Sequence, residues 1–444
     1  MRERGRAPHK TGGVRNAKMD MTNKSARSLK QALAPLLVAL SPVIILAAAF
    51  VVAQERVLDA AIEGVPLTEF FIASALVVPL LSQAISAAVF GALRLLNSSE
   101  TAGVSQIVLR YMPRGLVPAA VFALLAGAGL GFSRSWPIFA SAALVWTLFI
   151  HLVLALSLVV AFAARRYFRL PIAWAAYGAA MIFAPQLWWL PALCALFTQI
   201  VLMVLDCHSP KPGAEAILVE RAWHLPLPGT WMSMRRAVGG LADAMPIWSM
   251  PLMMWVVLGD HFDPGAAMFA VLPAILGMQV FFVMLVDPLW ARIKVLTERL
   301  VSEPYSLVRN EARGLGGFAL RGSAFVILFT GIIGLVATLM WLFVIHTEVP
   351  ELFVAKVVAS GAGAVVAMLG YLYSMFRDRR WVFVSAVAAG TVHIGALTLA
   401  VEPQMWLSAL SVTFGVLALV YLAVSVRDWR HPEYHLFWAR AIAA

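Results

Sequence analysis

Cysteine and charge are what this chain has least of. Its 444 residues include only Cys194 and Cys207, too few for a disulfide framework or a thiolate zinc site. Charged residues make up 13% of the chain, about half the share of an ordinary soluble domain. Catalytic signatures are equally scarce. Gly12-Gly13, following Lys10-Thr11, has neither the order nor the context of a phosphate loop, and no Gly-x-Ser-x-Gly elbow occurs. His431 and His435 are separated by Pro432 and lack a third nearby ligand, so no metal is expected there. No segment between the apolar runs is long enough for a glycosyltransferase or ATPase domain. The expectation is a protein without enzymatic residues, cofactor or metal.

What the chain does have is apolar length. Apolar residues make up 61% of the sequence and arrive in long runs. A helix of roughly 20 such residues crosses the hydrocarbon with its backbone groups bonded internally. Twelve segments meet that length, at about 31–53, 68–93, 115–132, 136–164, 170–184, 187–205, 236–259, 264–290, 323–346, 351–375, 381–400 and 405–426. Pro185 and Gln186 barely separate the fifth from the sixth. The first span follows a basic stretch from Arg2 to Lys30 and is too long for an ordinary signal-peptide core, so an uncleaved anchor is expected despite the Val51-Val52-Ala53 stretch.

The net charge of +11 could suggest nucleic acid as a partner. The cations, however, sit between spans, where they set orientation. With a cytoplasmic N-terminus, all but three of the 34 Lys and Arg fall inside, the exceptions being Arg56, Arg134 and Lys356. A missed span would have reversed every later loop and erased that bias. Glu55, Asp59, Glu63, Asp260, Asp263, Glu348 and Glu402 fall outside. Trp136, Trp188, Trp189, Trp290, Trp381 and Trp406 lie at span ends, as lipid-anchoring indoles do. Lys356, just inside the tenth span, can snorkel outward.

The spans divide into two sets of six. In each set the long cytoplasmic loop follows the second span, Leu95–Arg114 and then Ala291–Gly322, and each loop carries a Ser-Glu pair, Ser99-Glu100 and Ser302-Glu303. Six spans per half imply a parallel repeat about an axis along the membrane normal. In the second loop Val295, Leu296, Leu300, Tyr305, Leu307 and Val308 form the apolar side expected of an interfacial helix, a docking or anionic-lipid surface. The chain is thus expected to comprise a basic segment (1–30), a first bundle (31–205), a linker (206–235), a second bundle (236–426) and a tail (427–444).

Few polar groups lie within spans, and those that do are candidates for function. Asp243 sits among Gly239, Gly240 and Pro246, where a bent helix would free carbonyls. Gln83, Gln199 and Gln279 suit a polar path or helix-to-helix bonding. Asp287 lies near an inner span end, where hydration or Arg292 would hold it. His151 and His393 read as hydrogen-bonded packing residues.

Three stretches resemble a known family. Phe281 to Arg292 forms an apolar run ending in Asp287, Trp290 and Arg292, and Leu369 to Arg380 forms a tyrosine-rich span end closed by Asp378-Arg379-Arg380. Ile247-Trp248 with Trp255 is the third, a pair of tryptophans on the seventh span. In these, and in length and span count, the chain resembles the PelG-like inner-membrane transporters of Pel exopolysaccharide, within the multidrug/oligosaccharidyl-lipid/polysaccharide (MOP) flippase superfamily. That family usually carries an Asp-Lys pair between the tryptophans, where this chain has Met250 and Pro251. The resemblance implies an all-α protein of two six-helix, MATE-like bundles in the bacterial inner membrane, enclosing a central cavity that passes polysaccharide or oligosaccharide. It also implies a cytoplasmic glycosyltransferase and membrane-bound regulatory subunits as partners. By their chemistry, Asp243, Trp248, Trp255, Gln83 and Gln279 are the residues expected to contact the saccharide. An ion-coupled small-molecule or lipid-linked sugar exporter of the same fold, or a non-transporting scaffold of a polymer synthase, are the rival readings.

Overall fold

The computed structural model describes residues 59–90, 101–163, 167–208, 230–302, 304–345, 349–375 and 380–436, with parts of 38–57. A two-stranded hairpin precedes the numbered helices, β1 (Ala61–Ile62) against β2 (Val65–Pro66), turning through Glu63 and Gly64, both at positive φ. Helices follow in order: α1 (Leu67–Phe90), α2 (Thr101–Ser133), α3 (Ile138–Ala163), α4 (Arg169–Phe183), α5 (Leu190–His208), α6 (Thr230–Leu258), α7 (Pro264–Val280), α8 (Asp287–Ser302), α9 (Tyr305–Met340), α10 (Pro350–Ser374), α11 (Arg380–Thr398) and α12 (Pro403–Asp428). Among the described residues nine helices are long and apolar enough to cross a membrane, and Ile44–Ala53 and Phe383–Thr398 are shorter apolar helices. The protein is a multi-pass, all-α membrane protein. We call outer the end opposite the one that collects most of the cations.

Helix pairing repeats along the chain. In the first group α1 packs on α2 and α3, α2 on α3, α3 on α5, and α4 on α5. In the second, α7 packs on α9 and α10, α9 on α10, α10 on α12, and α11 on α12. Ala49 and Ala53 of the first span, with Val57 just past it, share an apolar cluster with Ile150, Leu154, Ala173 and Tyr177 of α3 and α4. Correspondingly, α6 packs on α10 and α11. The principal packing between the two groups, among the described helices, is α1 on α6.

Local sequence explains the joints. Asp263 caps α7, its Oδ1 accepting the Ala266 N–H at 3.0 Å, with Pro264 in the first turn, where a missing N–H costs nothing. Pro246 and Pro251 lie inside α6, which stays helical throughout. Each lacks an amide proton, which frees the carbonyls of Ala242 and Ile247 four residues back. The Pro246 carbonyl in turn lies against Gly363 of α10, so closely that a Cβ on that residue would collide with it.

Three expectations are corrected. The segment at 291–322 is not a helix lying in the interface. A π-helical stretch, Phe281–Val286, joins α7 to α8, and the continuous helical arm packs antiparallel on α9. Gly277 faces Thr330, Gly322 faces Leu285, Arg292 lies over the Phe318 ring at 4.0 Å, and Arg299 bonds Glu311 at 3.0 Å. Of the expected apolar side Leu296 and Val308 are buried, with Leu289 and Ile293 on the same face of α8, whereas Val295 is 41% exposed. The arms Pro264–Leu300 and Val308–Val344 each have 37 residues. At 1.5 Å per residue that is about 55 Å, against roughly 30 Å of hydrocarbon.

Lys356 does not snorkel. It is 1% exposed and turns inward with Phe353 and Ser360, because its face of α10 is the protein-facing one. Trp406 is not a lipid anchor but is buried, bonded within its group. Trp136 and Trp188 pack on Phe70, at ring-centroid distances of 5.4 and 6.3 Å. The basic segment 1–30, the Asp378-Arg379 turn and most of the linker lie outside the described residues.

Candidate functional site

The α1–α6 seam carries the polar groups that connect the two helix groups. Its register is antiparallel: Trp255 meets Glu69 at one end and Gly240 meets Gln83 at the other. About fourteen residues of α1 separate these contacts, roughly 21 Å along the axis.

At the inner end the backbones nearly touch. A Cβ on Gly240 would collide with the Gln83 carbonyl and lie 2.8 Å from the Ala87 methyl. The Gln83 side chain itself is exposed. Asp243, one turn along α6, is half-buried, so the structure brings Gln83 and Asp243 to the same end of one seam. Trp248 is half-buried farther along α6. Gln279 does not join them, being carried by α7, which packs on α9 and α10.

The outer end is polar. Trp255 is fully buried and its Nε1–H donates to Glu69 Oε2 at 3.1 Å. The same oxygen accepts from Arg134 Nη2 at 3.3 Å, and the Arg134 guanidinium lies over the Trp255 ring at 4.8 Å. Local geometry sets each partner. At the end of α2, Trp136 N–H bonds the Gly131 carbonyl and Ser135 N–H the Phe132 carbonyl, with Ser135 at φ 53°. That is a Schellman closure with serine in the left-handed position, and it fixes where Arg134 points. Gly259 follows α6 at φ 55°, a conformation that calls for glycine, and the place its Cβ would take lies 3.1 Å from Arg134 Nη1. At the start of α1 a cleft of about 380 Å³ is lined by Arg56, Asp59, Ala61, Ile62, Leu67 and Gln186.

Further networks hold each group together. In the second, Trp406 Nε1–H donates to His393 Nδ1 at 3.1 Å, so the ring proton sits on Nε2 and faces Ser249 Oγ at 2.9 Å. In the first, His151 Nδ1 lies 2.8 Å from the Thr147 carbonyl and must carry the proton, leaving Nε2 to accept from the Tyr177 hydroxyl at 3.0 Å. At the inner end of that group the buried Arg169 pairs with Asp206, which also accepts from Ser105 Oγ at 2.8 Å, while Gln199 Nε2 donates to the Arg169 carbonyl at 2.9 Å. Among the described residues no three His, Cys, Asp or Glu side chains cluster in a way that could hold a metal ion.

Sequence reasoning named Trp255 but missed Glu69 and Arg134. One signal was present: Arg134 is an outer cation in a chain that keeps nearly all others inside, and an exception to so strong a bias needs a partner.

No family model and no curated protein matches the sequence. Solved structures do. The eukaryotic MATE transporter AtDTX14 aligns over 90% of this chain and 97% of its own, at 12% identity and a TM-score of 0.51. The MATE transporter ClbM, solved with Rb+, aligns over 93% and 96%, at 13% identity and a TM-score of 0.50. A MOP superfamily transporter from Pyrococcus furiosus aligns over 92% and 96%, at 11% identity and a TM-score of 0.47. At such identities the first two likenesses establish the fold: the chain has the two-bundle architecture of MATE transporters. These neighbours are transporters and not enzymes.

Proposed function

We propose that the protein is a bacterial inner-membrane transporter that exports or flips a polysaccharide or oligosaccharide between its two helix groups. The observation that carries the transport reading is the repeated helix pairing, with the groups meeting chiefly along α1 and α6. Two bodies joined along one seam can rock, and rocking exposes a midplane site to each side in turn. The saccharide reading rests on the resemblance of the tryptophan-bearing α6 and the span ends to the PelG-like transporters, and on chemistry. Trp248 offers an aromatic face and Asp243 and Gln83 offer hydrogen-bonding groups, which suit a hydroxyl-rich chain. Gln279 would meet the substrate only from the α7 side. Trp255, sealed under Arg134, is a structural partner in the state described here. A cytoplasmic glycosyltransferase and membrane subunits are the partners this reading requires, with inner-leaflet lipids around the basic α8–α9 hairpin.

The test is transport by purified protein in proteoliposomes. Movement of a labelled lipid-linked oligosaccharide, reduced in Asp243→Asn at equal protein abundance, supports the proposal. Movement of small organic cations without saccharide would favour the ion-coupled exporter instead, and movement of neither would favour a scaffold.

A further inference from the structure

We infer that Glu69, Arg134 and Trp255 form the outer gate of this protein, with Trp255 as the moving part. The inference rests on the two-body reading above but not on what is carried. Glu69 and Arg134 both belong to the first group, on α1 and at the α2–α3 turn, whereas Trp255 belongs to the second. Their ion pair therefore does not have to break when the groups part. It stays in place and holds a ready acceptor, Glu69 Oε2, and a cation for the indole to return to. A hydrogen bond and a cation–π contact join Trp255 to that pair across the groups, and water replaces both as Trp255 withdraws.

The first-group side is rigidly presented. The Schellman turn fixes Arg134, and Trp136, one residue past that turn, packs on Phe70, the neighbour of Glu69. Both side chains keep some contact with water, 12% exposed for Arg134 and 23% for Glu69, which a buried structural ion pair would not need. On the second-group side, Gly259 leaves the space that Arg134 occupies when closed.

The experiment reads opening directly, without transport. In a background with Cys194→Ala and Cys207→Ala, Ala73→Cys places a thiol one turn inward of Glu69 on the same face of α1, a position now fully buried. A membrane-impermeant maleimide added from outside should label it slowly. Trp255→Phe, which keeps an aromatic ring and removes the N–H, should raise that rate on the order of three- to tenfold, the factor that one ordinary hydrogen bond allows, and Glu69→Gln, whose amide oxygen still accepts, should raise it less. Ala87→Cys, probed in inverted vesicles, reports the inner end of the same seam. A rise at 73 without a rise at 87 supports the gate. A rise at both positions indicates general loosening and overturns it, as does no rise at 73. If saccharide transport fails while the 73-specific rise is seen, the transport proposal falls and the gate stands.

Discussion

The two ends of the α1–α6 seam are joined by different kinds of force. At the inner end, Gly240 brings the α6 backbone against the Gln83 carbonyl, a contact of shape and dispersion. At the outer end a hydrogen bond, an ion pair and a cation–π contact meet over one oxygen and one ring. Water cannot replace close packing, but it can replace each polar contact at modest net cost. The contrast assigns a pivot to the inner end and an opening to the outer end.

Four substitutions would break or sharpen that contrast. Trp255→Ala should have the largest effect, losing about 3–5 kcal/mol as a large buried aromatic leaves a cavity, read as a fall in melting temperature in detergent. A melting temperature within a degree of the parent would mean the indole carries little of the outer junction. Gly240→Val should cost about 1–3 kcal/mol through overpacking. Because the obstacle is the Gln83 carbonyl as well as Ala87, adding Ala87→Gly should rescue it only in part, and full rescue would show that the backbones are not the limiting contact. Ser249→Ala leaves the His393 Nε2–H without its acceptor, at about 1–3 kcal/mol. That bond ties α6 to its own group, so stability should fall while outer labelling at Ala73→Cys stays unchanged. Glu69→Gln should be the mildest for stability, about 0.2–1 kcal/mol for a partly hydrated pair. Raising salt to 1 M should likewise speed outer labelling, since screening weakens the Glu69–Arg134 pair.

Much of the architecture was legible in the sequence, and the reasons are physical. Apolar length fixes each crossing, and the cation bias checks their number. The fifth and sixth spans, separated by little more than Pro185 and Gln186, do form distinct helices, α4 and α5. Periodicity, however, reveals that a helix has an apolar face without saying what covers it. Hence α8 reads equally as an interfacial helix or as half of a hairpin on α9, and Lys356 equally as facing lipid or protein. The outer gate was hidden for a different reason. Glu69 lies 65 residues from Arg134 and 186 from Trp255, so no local pattern links them. The Ser249, His393 and Trp406 network is just as dispersed, with 144 residues between the first two.

The Gly240 contact also sets a scale for motion. Were α6 to stay seated on Gln83 and turn there, the outer contact would ride on an arm of roughly 21 Å. A rotation of about 20° would then part Trp255 from Glu69 by about 7 Å, of the order of the 15° turn by which other assemblies switch state. Replacing one small residue at the pivot with a bulkier one would change the axis and not the latch. Its signature would be an altered direction of opening with the closing contacts intact.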